Sequence, residues 1–333
     1  MQKARFDAVA IGNAIVDVIA RADDDFLAAE NLAKGSMHLI GTARAEALYA
    51  AMGPAIEASG GSAGNTAAGL GSFGGKAAFI GKVADDHLGE VYRHDMRAMG
   101  VHFETPALVG GEPTARSLIV ITPDGERTMN TYLGAGVALT DDDIDEELIR
   151  SSEYTYLEGY LWDPPAAKAA FRKAATLAHA AGRKVAFTLS DSFCVDRYRQ
   201  EFLELIRTRA VDLLFANASE LRALYETASL DTAVAALQAD CRLAAVTVGA
   251  DGAYVVSPTS IEIVAARPVP AVVDLTGAGD LFASGFLFGQ ARGMSTRRSA
   301  ELGTLAAAEV IGHLGARPAV SLQELARQAG YAI

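Results

Sequence analysis

Cysteine is almost missing from this chain of 333 residues: Cys194 and Cys241 are the only two. They form no C-x-x-C pair and sit at no Cys/His ligand spacing, which excludes a disulfide framework and a structural zinc site. Such sparing use fits a reducing, cytoplasmic setting. Uninterrupted apolar runs are short, none near the roughly 18 residues of a membrane-spanning helix. The opening stretch, residues 1–20, is broken by Asp7, Asn13 and Asp17 and lacks a clean A-x-A cleavage pattern, so it reads as a first strand rather than a signal peptide. Basic residues are outnumbered, 29 Lys and Arg against 41 Asp and Glu, for a net charge of −12. That surface repels phosphate backbones and anionic lipids, which excludes nucleic acid and membranes as partners. A small anionic ligand needs a local site of backbone N–H groups or a few Arg and Lys. Long linkers, internal repeats and low-complexity segments are absent as well.

What the chain does have is globular composition: half of its residues are hydrophobic and 21% are charged, too apolar to stay disordered. At about 150 residues per domain the length suggests two domains or one large α/β unit. Apolar runs of strand length recur at 7–11, 77–80, 154–157, 184–188, 213–216 and 244–248. Helix-length segments rich in Ala, Leu, Glu and Arg lie between many of them, at 166–181, 199–209 and 219–225. Such alternation calls for a mostly parallel sheet covered on both faces, the doubly wound α/β class.

Two segments break the rhythm. Residues 15–40 and 102–133 carry short alternating strand candidates (16–20, 36–40, 114–122, 127–133), with the turn Pro123-Asp124-Gly125 between the last two. They predict a small separate sheet placed as a lid over a cleft, inserted into a main domain of 1–14, 41–101 and 134–333. The acidic runs Asp23–Asp25 and Asp141–Asp143 read as ordinary charge runs rather than metal clusters, the second as an N-cap at Thr140 with acids in the first helical turn.

Three segments carry chemistry. In Val273-Asp274-Leu275-Thr276-Gly277-Ala278-Gly279-Asp280, a Gly-Ala-Gly turn feeding a helix lets backbone N–H groups converge at the positive end of the helix dipole, an anion site. A carboxylate at Asp280 beside an anion costs repulsion unless it works as a general base on a substrate hydroxyl. An ordinary Gly-rich turn with an acidic first-turn residue is the plain alternative. In Gly60-Gly61-Ser62-Ala63-Gly64-Asn65, small residues let a ligand touch backbone and Asn65 offers donor and acceptor to a diol; the plain alternative is a loop opening a packed helix. The following Gly69-Leu70-Gly71-Ser72-Phe73-Gly74 matches G-x-G-x-x-G, but no strand leads directly into it, which rules out a dinucleotide fingerprint. In Gly12-Asn13-Ala14-Ile15-Val16-Asp17, Asn13 and Asp17 leave the end of the first strand, where α/β ligands bind. They suit either a polyol contact or a mere strand-ending polar pair.

The Gly-Gly-x-x-x-Asn and Asp-x-Thr-Gly-Ala-Gly-Asp segments, in this order and far apart, resemble the two signatures of the PfkB (ribokinase-like) family of carbohydrate and nucleoside kinases. The resemblance spans nearly the whole chain. It implies a three-layer αβα sandwich with a small β-sheet lid, and the use of ATP and Mg2+. By the same resemblance Asp280 is the catalytic base, and Gly277, Ala278 and Gly279 form the anion hole. Asn217-Ala218-Ser219-Glu220 looks like the family's N-x-x-E motif, with Glu220 holding magnesium through water, and is equally close to a capping box. Thr247, Gly249 and Gly252 resemble the turn beside the nucleotide phosphates, by itself a simple β-turn. Gly315-Ala316-Arg317-Pro318 resembles a loop near the adenine. Arg127 is placed to reach across the transferring phosphate or to sit solvated on the lid. A monovalent cation near Asp274 belongs to the same set of implications.

The forms at 12–17 and 60–62, and the strand Arg127–Ala135, are similar to bacterial adenosine kinases. Asp17 and Asn65 would then hold ribose hydroxyls, with Gly61 and Ser62 lining the sugar, while Tyr160, Leu161 and Trp162 offer an apolar wall. Glu158 lies near the expected cleft without an assigned role. The expectation is an ATP-dependent nucleoside kinase acting on a 5′-hydroxyl. A ribose- or fructose-type sugar kinase is the alternative on the same scaffold, and a catalytically silent sensor is the non-enzymatic one. Monomer and homodimer both remain open, depending on whether the edge of the lid sheet pairs with another chain.

Overall fold

The computed structural model describes residues 3–333. In chain order the strands are β1 (Phe6–Ile11), β2 (Ile15–Arg21), β3 (Met37–Leu39), β4 (Ala55–Ser59), β5 (Ala77–Ile80), β6 (His102–Phe103), β7 (Ala115–Ile121), β8 (Arg127–Tyr132), β9 (Ser152–Glu158), β10 (Lys184–Thr188), β11 (Leu213–Asn217), β12 (Ala244–Thr247), β13 (Ala253–Ser257) and β14 (Ser260–Val264).

Nine of them form the main sheet, in the order β14-β13-β12-β11-β10-β9-β1-β5-β6. Strands β6 to β12 in that order are parallel, and the β13–β14 pair closes one edge antiparallel. Short runs such as β5, Ala-Ala-Phe-Ile, are buried throughout because helices cover both faces. Alternate residues feed two separate cores. Ala8, Ala10, Tyr156 and Phe215 pack with Leu70, Leu281 and Phe286, on helices Ser62–Ser72 and Ala278–Ala291. Val9, Ile11, Leu157 and Leu214 pack with Phe171, Phe202 and Leu237, on helices Pro165–Ala180, Ser192–Arg207 and Leu230–Asp240. The result is the expected αβα sandwich.

The other five strands form a smaller sheet, β3-β8-β7-β2-β4. Its β7–β8 hairpin turns at Asp124, whose Oδ1 accepts from Thr122 Oγ1 (2.6 Å) and from Glu126 N (3.3 Å). One face of this sheet, including Val16, Val18 and Leu118, is buried with Leu48 of helix Thr42–Ala51. The opposite face shows two adjacent rows that run across the strands. Ala58, Asp17, Ser117, Thr131 and Leu39 make a mixed row, and Ile56, Ile19, Ile119, Met129 and Met37 make an apolar one.

The boundaries of the smaller sheet differ from those expected. Residues 55–59 belong to it through β2, while 102–103 pair with β5 in the main sheet. Ala-Ile-Glu-Ala-Ser has little intrinsic strand character, so its pairing comes from tertiary contact. The helix expected at 199–209 starts at Ser192, where Asp191 caps it through Cys194 N; non-helical angles at Tyr198 interrupt the periodic signal. The acidic run after Thr140 is a helix start as expected, and the one at Asp23–Asp25 is a helix start too. Asp23 caps Asp24–Ala29, and Thr140 forms a capping box with Asp143. Gly69–Gly74 begins inside helix Ser62–Ser72, with no strand in front of Gly69.

Candidate active site

Because β1, β9, β10, β11 and β12 run parallel, their carboxyl ends share one edge of the main sheet, and Gly12, Glu158, Thr188, Asn217 and Thr247 line up along it. Helix Ala278–Ala291 points its N-terminus to this region. Gly277 caps it in a left-handed conformation (φ 82°), and no side chain caps the first amides. Only glycine suits that angle, and an added Cβ would lie 2.8 Å from Ala316 Cβ. Asp280 sits in the first turn. Its Oδ1 accepts from Ser62 Oγ (2.7 Å) and its Oδ2 from Asn65 Nδ2 (2.8 Å), so each carboxylate oxygen keeps a lone pair for something else. Burial raises the Asp280 pKa, while Ser62, Asn65 and the nearby Arg317 charge pull it back.

The Gly12–Asp17 and Gly60–Asn65 segments converge on the same carboxylate. Gly61 (φ 80°) begins helix Ser62–Ser72 so close to β1 that a Cβ there would sit 2.2 Å from Asn13 O. Asp17, on the inner face of the smaller sheet, lies over Gly60, whose added Cβ would meet its Oδ2 at 2.6 Å. Burial pushes Asp17 up to about 6, against the pull of Arg317 and Arg127. Two buried oxygens here, Asn13 Oδ1 and Asn65 Oδ1, have no hydrogen-bond partner in the protein. Orphaned acceptors in a cleft suit a ligand rich in O–H donors.

Arg127 does not cross open space. Its guanidinium is ion-paired with Asp274 Oδ2 and donates to Thr276 Oγ1 (3.2 Å), which ties the smaller sheet to the loop before Gly277. Asp274 also accepts from Thr276 N (3.0 Å) and Gly315 N (3.0 Å). Arg317 is held against the second segment. Its side chain turns to the Ser62–Asn65 side, donating to Gly64 O (2.5 Å), Ser59 O (3.0 Å) and Ser59 Oγ (3.1 Å), and no carboxylate among the described residues is within ion-pair distance. The expected apolar wall is also absent. Leu161 and Trp162 turn into the main core against Phe171, Phe187 and Phe202, and Tyr160 donates to Ser190 O.

A model of the pfkB family of carbohydrate kinases matches residues 55–322. The chain belongs to the pfkB family. A solved structure of adenosine kinase from Sinorhizobium meliloti is 58% identical with a TM-score of 0.91, covering 98% of this chain and all of that one. A probable sugar kinase from Rhizobium etli CFN 42 is 52% identical with a TM-score of 0.92, covering 98% and 99%. The ATP-dependent ribose-1-phosphate kinase of Halopiger xanaduensis is 32% identical over 81% of this chain and 86% of its own length. This pfkB protein is therefore a phosphotransferase acting on a hydroxyl group, in a family that uses ATP.

On its far side the pfkB fold presents Asn217, Glu220, Thr247, Gly249 and Gly252. Asn217 and Glu220 form a complete capping box: Asn217 Oδ1 accepts from Glu220 N (2.9 Å), Glu220 Oε2 from Asn217 N (2.9 Å), and Asn217 Nδ2 donates to Glu220 Oε1 (2.5 Å). Burial, with Asp191 and Asp280 nearby, pushes Glu220 up to about 7. Thr247 pairs with Asn217 across the sheet, and Gly249 and Gly252 bracket the tight turn into β13. Among the described residues no cluster of three His, Cys, Asp or Glu is placed to hold a metal ion. Without a preformed cage of ligands, this donor set suits only an ion that keeps its own waters. The Asp274 carboxylate does not fit a monovalent cation, because Arg127, Thr276 and Gly315 already occupy it. No helix among the described residues is long and apolar enough to cross a membrane. Glu158 lies in no motif, and its contacts are long-range. Its Oε1 accepts from Asn13 N (2.7 Å) and its Oε2 from Ala63 N (2.8 Å).

Proposed function

We propose that this protein transfers the γ-phosphoryl group of ATP to the 5′-hydroxyl of a nucleoside, adenosine giving AMP. The observation that carries this reading is the inner face of the smaller sheet. The mixed row with Asp17 lies beside an apolar row of Ile19, Ile119 and Met129, matching a ligand that is a polyol at one end and a flat apolar ring at the other. The unpartnered Asn13 Oδ1 and Asn65 Oδ1 suit ribose hydroxyls, Gly61 and Ser62 line the sugar, and full-length similarity to the Sinorhizobium meliloti adenosine kinase agrees.

In this mechanism Asp280, oriented by Ser62 and Asn65, takes the proton of the 5′-hydroxyl as its oxygen bonds to the γ-phosphorus. The bond to the β-phosphate oxygen breaks and ADP leaves. The amides at Gly277, Ala278 and Gly279 stabilise charge on the moving phosphoryl group. Asn217, Thr247, Gly249 and Gly252 flank the nucleotide. Glu220 would hold magnesium through water, and the bound ion would supply charge neutralisation on the triphosphate. The smaller sheet acts as a lid that excludes water, which otherwise competes as acceptor.

A sugar kinase is the second reading, favoured by the names of the Rhizobium and Halopiger relatives. A panel of adenosine, inosine, ribose, fructose and ribose 1-phosphate, each with ATP and Mg2+, separates the two by ADP release. Adenosine should exceed the free sugars by about a hundredfold or more in kcat/KM. Faster turnover of ribose, fructose or ribose 1-phosphate overturns the nucleoside reading.

A further inference from the structure

Glu158 ends β9 and is completely buried, yet it has no cation partner among the described residues. Both carboxylate oxygens accept backbone N–H groups, Asn13 N at 2.7 Å and Ala63 N at 2.8 Å. These donors lie 145 and 95 residues away in sequence and belong to the two segments that converge on Asp280. Gly12 makes room for the contact, since a Cβ there would stand 2.3 Å from Glu158 Oε2. Ala63 lies in the first turn of an 11-residue helix, whose dipole favours a negative charge.

We propose that Glu158 is a positioning residue, a strap that fixes the end of β1 against the start of helix Ser62–Ser72 and so sets the spacing of the acceptor site. The inference rests on the reading of Asn13, Asp17, Ser62 and Asn65 as acceptor ligands. Two N–H donors facing one buried side chain require two acceptor oxygens, which only the ionised carboxyl supplies at full strength. A protonated carboxyl presents O–H on one side and loses one arm of the strap.

Burial pushes Glu158 up to about 7, and the two backbone N–H groups oppose the shift. Other titratable groups facing it are Asp280 from helix Ala278–Ala291, Tyr156 from its own strand and Tyr92 from helix His87–Ala98. Asp280 is the only one of these with an acidic titration. It acts on the chemical step, whereas the strap acts on acceptor binding. Falling pH therefore raises the acceptor KM by this route through the neutral range, beginning above the point near 6 where Asp17 itself takes up a proton.

The test is Glu158→Gln, which keeps volume but turns one arm into an amide facing an N–H. The acceptor is whichever compound the wild-type protein turns over fastest. The variant should raise the acceptor KM about tenfold at pH 8, leave the ATP KM within twofold, and flatten the pH dependence of the acceptor KM between pH 7 and 8, above the range where Asp17 titrates. Gly12→Ala keeps the carboxyl but displaces it, and should reproduce the KM effect. Amide hydrogen exchange on the unliganded protein reads the strap without any substrate: exchange at Asn13 and Ala63 should accelerate at least tenfold in Glu158→Gln, with global protection retained. Failure of adenosine as acceptor leaves this readout intact. Unchanged exchange at both amides, or a variant with wild-type acceptor KM and wild-type pH dependence, overturns the proposal.

Discussion

Arg127 and Asp274 form a buried ion pair that joins the smaller sheet to the loop leading into the Gly-Ala-Gly turn. Because Asp274 also fixes Thr276 and Gly315, the guanidinium stands in one network with the backbone that presents the anion site. Arg127→Met leaves a buried carboxylate with no cation, which is strongly destabilising locally. We expect kcat to fall about 10- to 100-fold, with Arg127→Lys recovering part of it. Steady-state kinetics, together with ATP hydrolysis in the absence of acceptor, measures this. An unchanged kcat in Arg127→Met contradicts a coupled lid.

Replacing the base separates chemistry from binding. Asp280→Asn should lower kcat by about 1,000-fold while the acceptor KM stays within a few-fold. Ser62→Ala is milder, about tenfold in kcat. Its pH–rate profile should also move to higher pH, because the Ser62 hydrogen bond holds the Asp280 pKa down. Near-normal turnover by Asp280→Asn removes the general-base mechanism.

Stability and activity should depend on pH in opposite directions. Asp17, Glu158 and Glu220 are pushed up to about 6, 7 and 7, above their ordinary values of 3.8, 4.5 and 4.5. A group raised on folding contributes stability that is present at low pH and lost as pH rises through its folded value. Tm should therefore be higher near pH 5.5 than near pH 8, while kcat/KM falls on the acid side. Asp17→Asn should raise Tm at pH 8 by roughly 2–4 °C for each kcal/mol recovered, and weaken acceptor binding about tenfold or more. Thermal melts across pH decide the first point and acceptor titrations the second.

The apolar row makes a selective prediction. Met129→Ala removes contact area from the inner face of the smaller sheet, so the adenosine KM should rise about 3- to 10-fold. Any residual turnover of free ribose should keep its KM. Equal effects on both acceptors argue against a base seated on that row.

Local chemistry made much of this legible from residue types alone. The buried runs at 77–80 and 184–188 are strands with those bounds, and Thr140 and Asn217 cap helices as their side chains predict. The Gly277–Asp280 turn is a helix start as its glycines suggest: Gly277 takes a left-handed backbone that favours glycine, and Asp280 falls in the first turn. What stayed hidden depends on pairings across the fold. Ala55–Ser59 becomes a strand because β2 lies beside it. Arg317 reaches Ser59 O and Gly64 O, 258 and 253 residues away, and Trp162 finds aromatic rings rather than a cleft. Glu158 shows the limit most plainly, since its partners are backbone amides that leave no mark on composition or spacing.

Asp280 lies 218 residues beyond Ser62 and 215 beyond Asn65. During synthesis Ser62 and Asn65 leave the ribosome long before the carboxylate they hold. A chain stopped short of its last third would keep both donors and lack their acceptor.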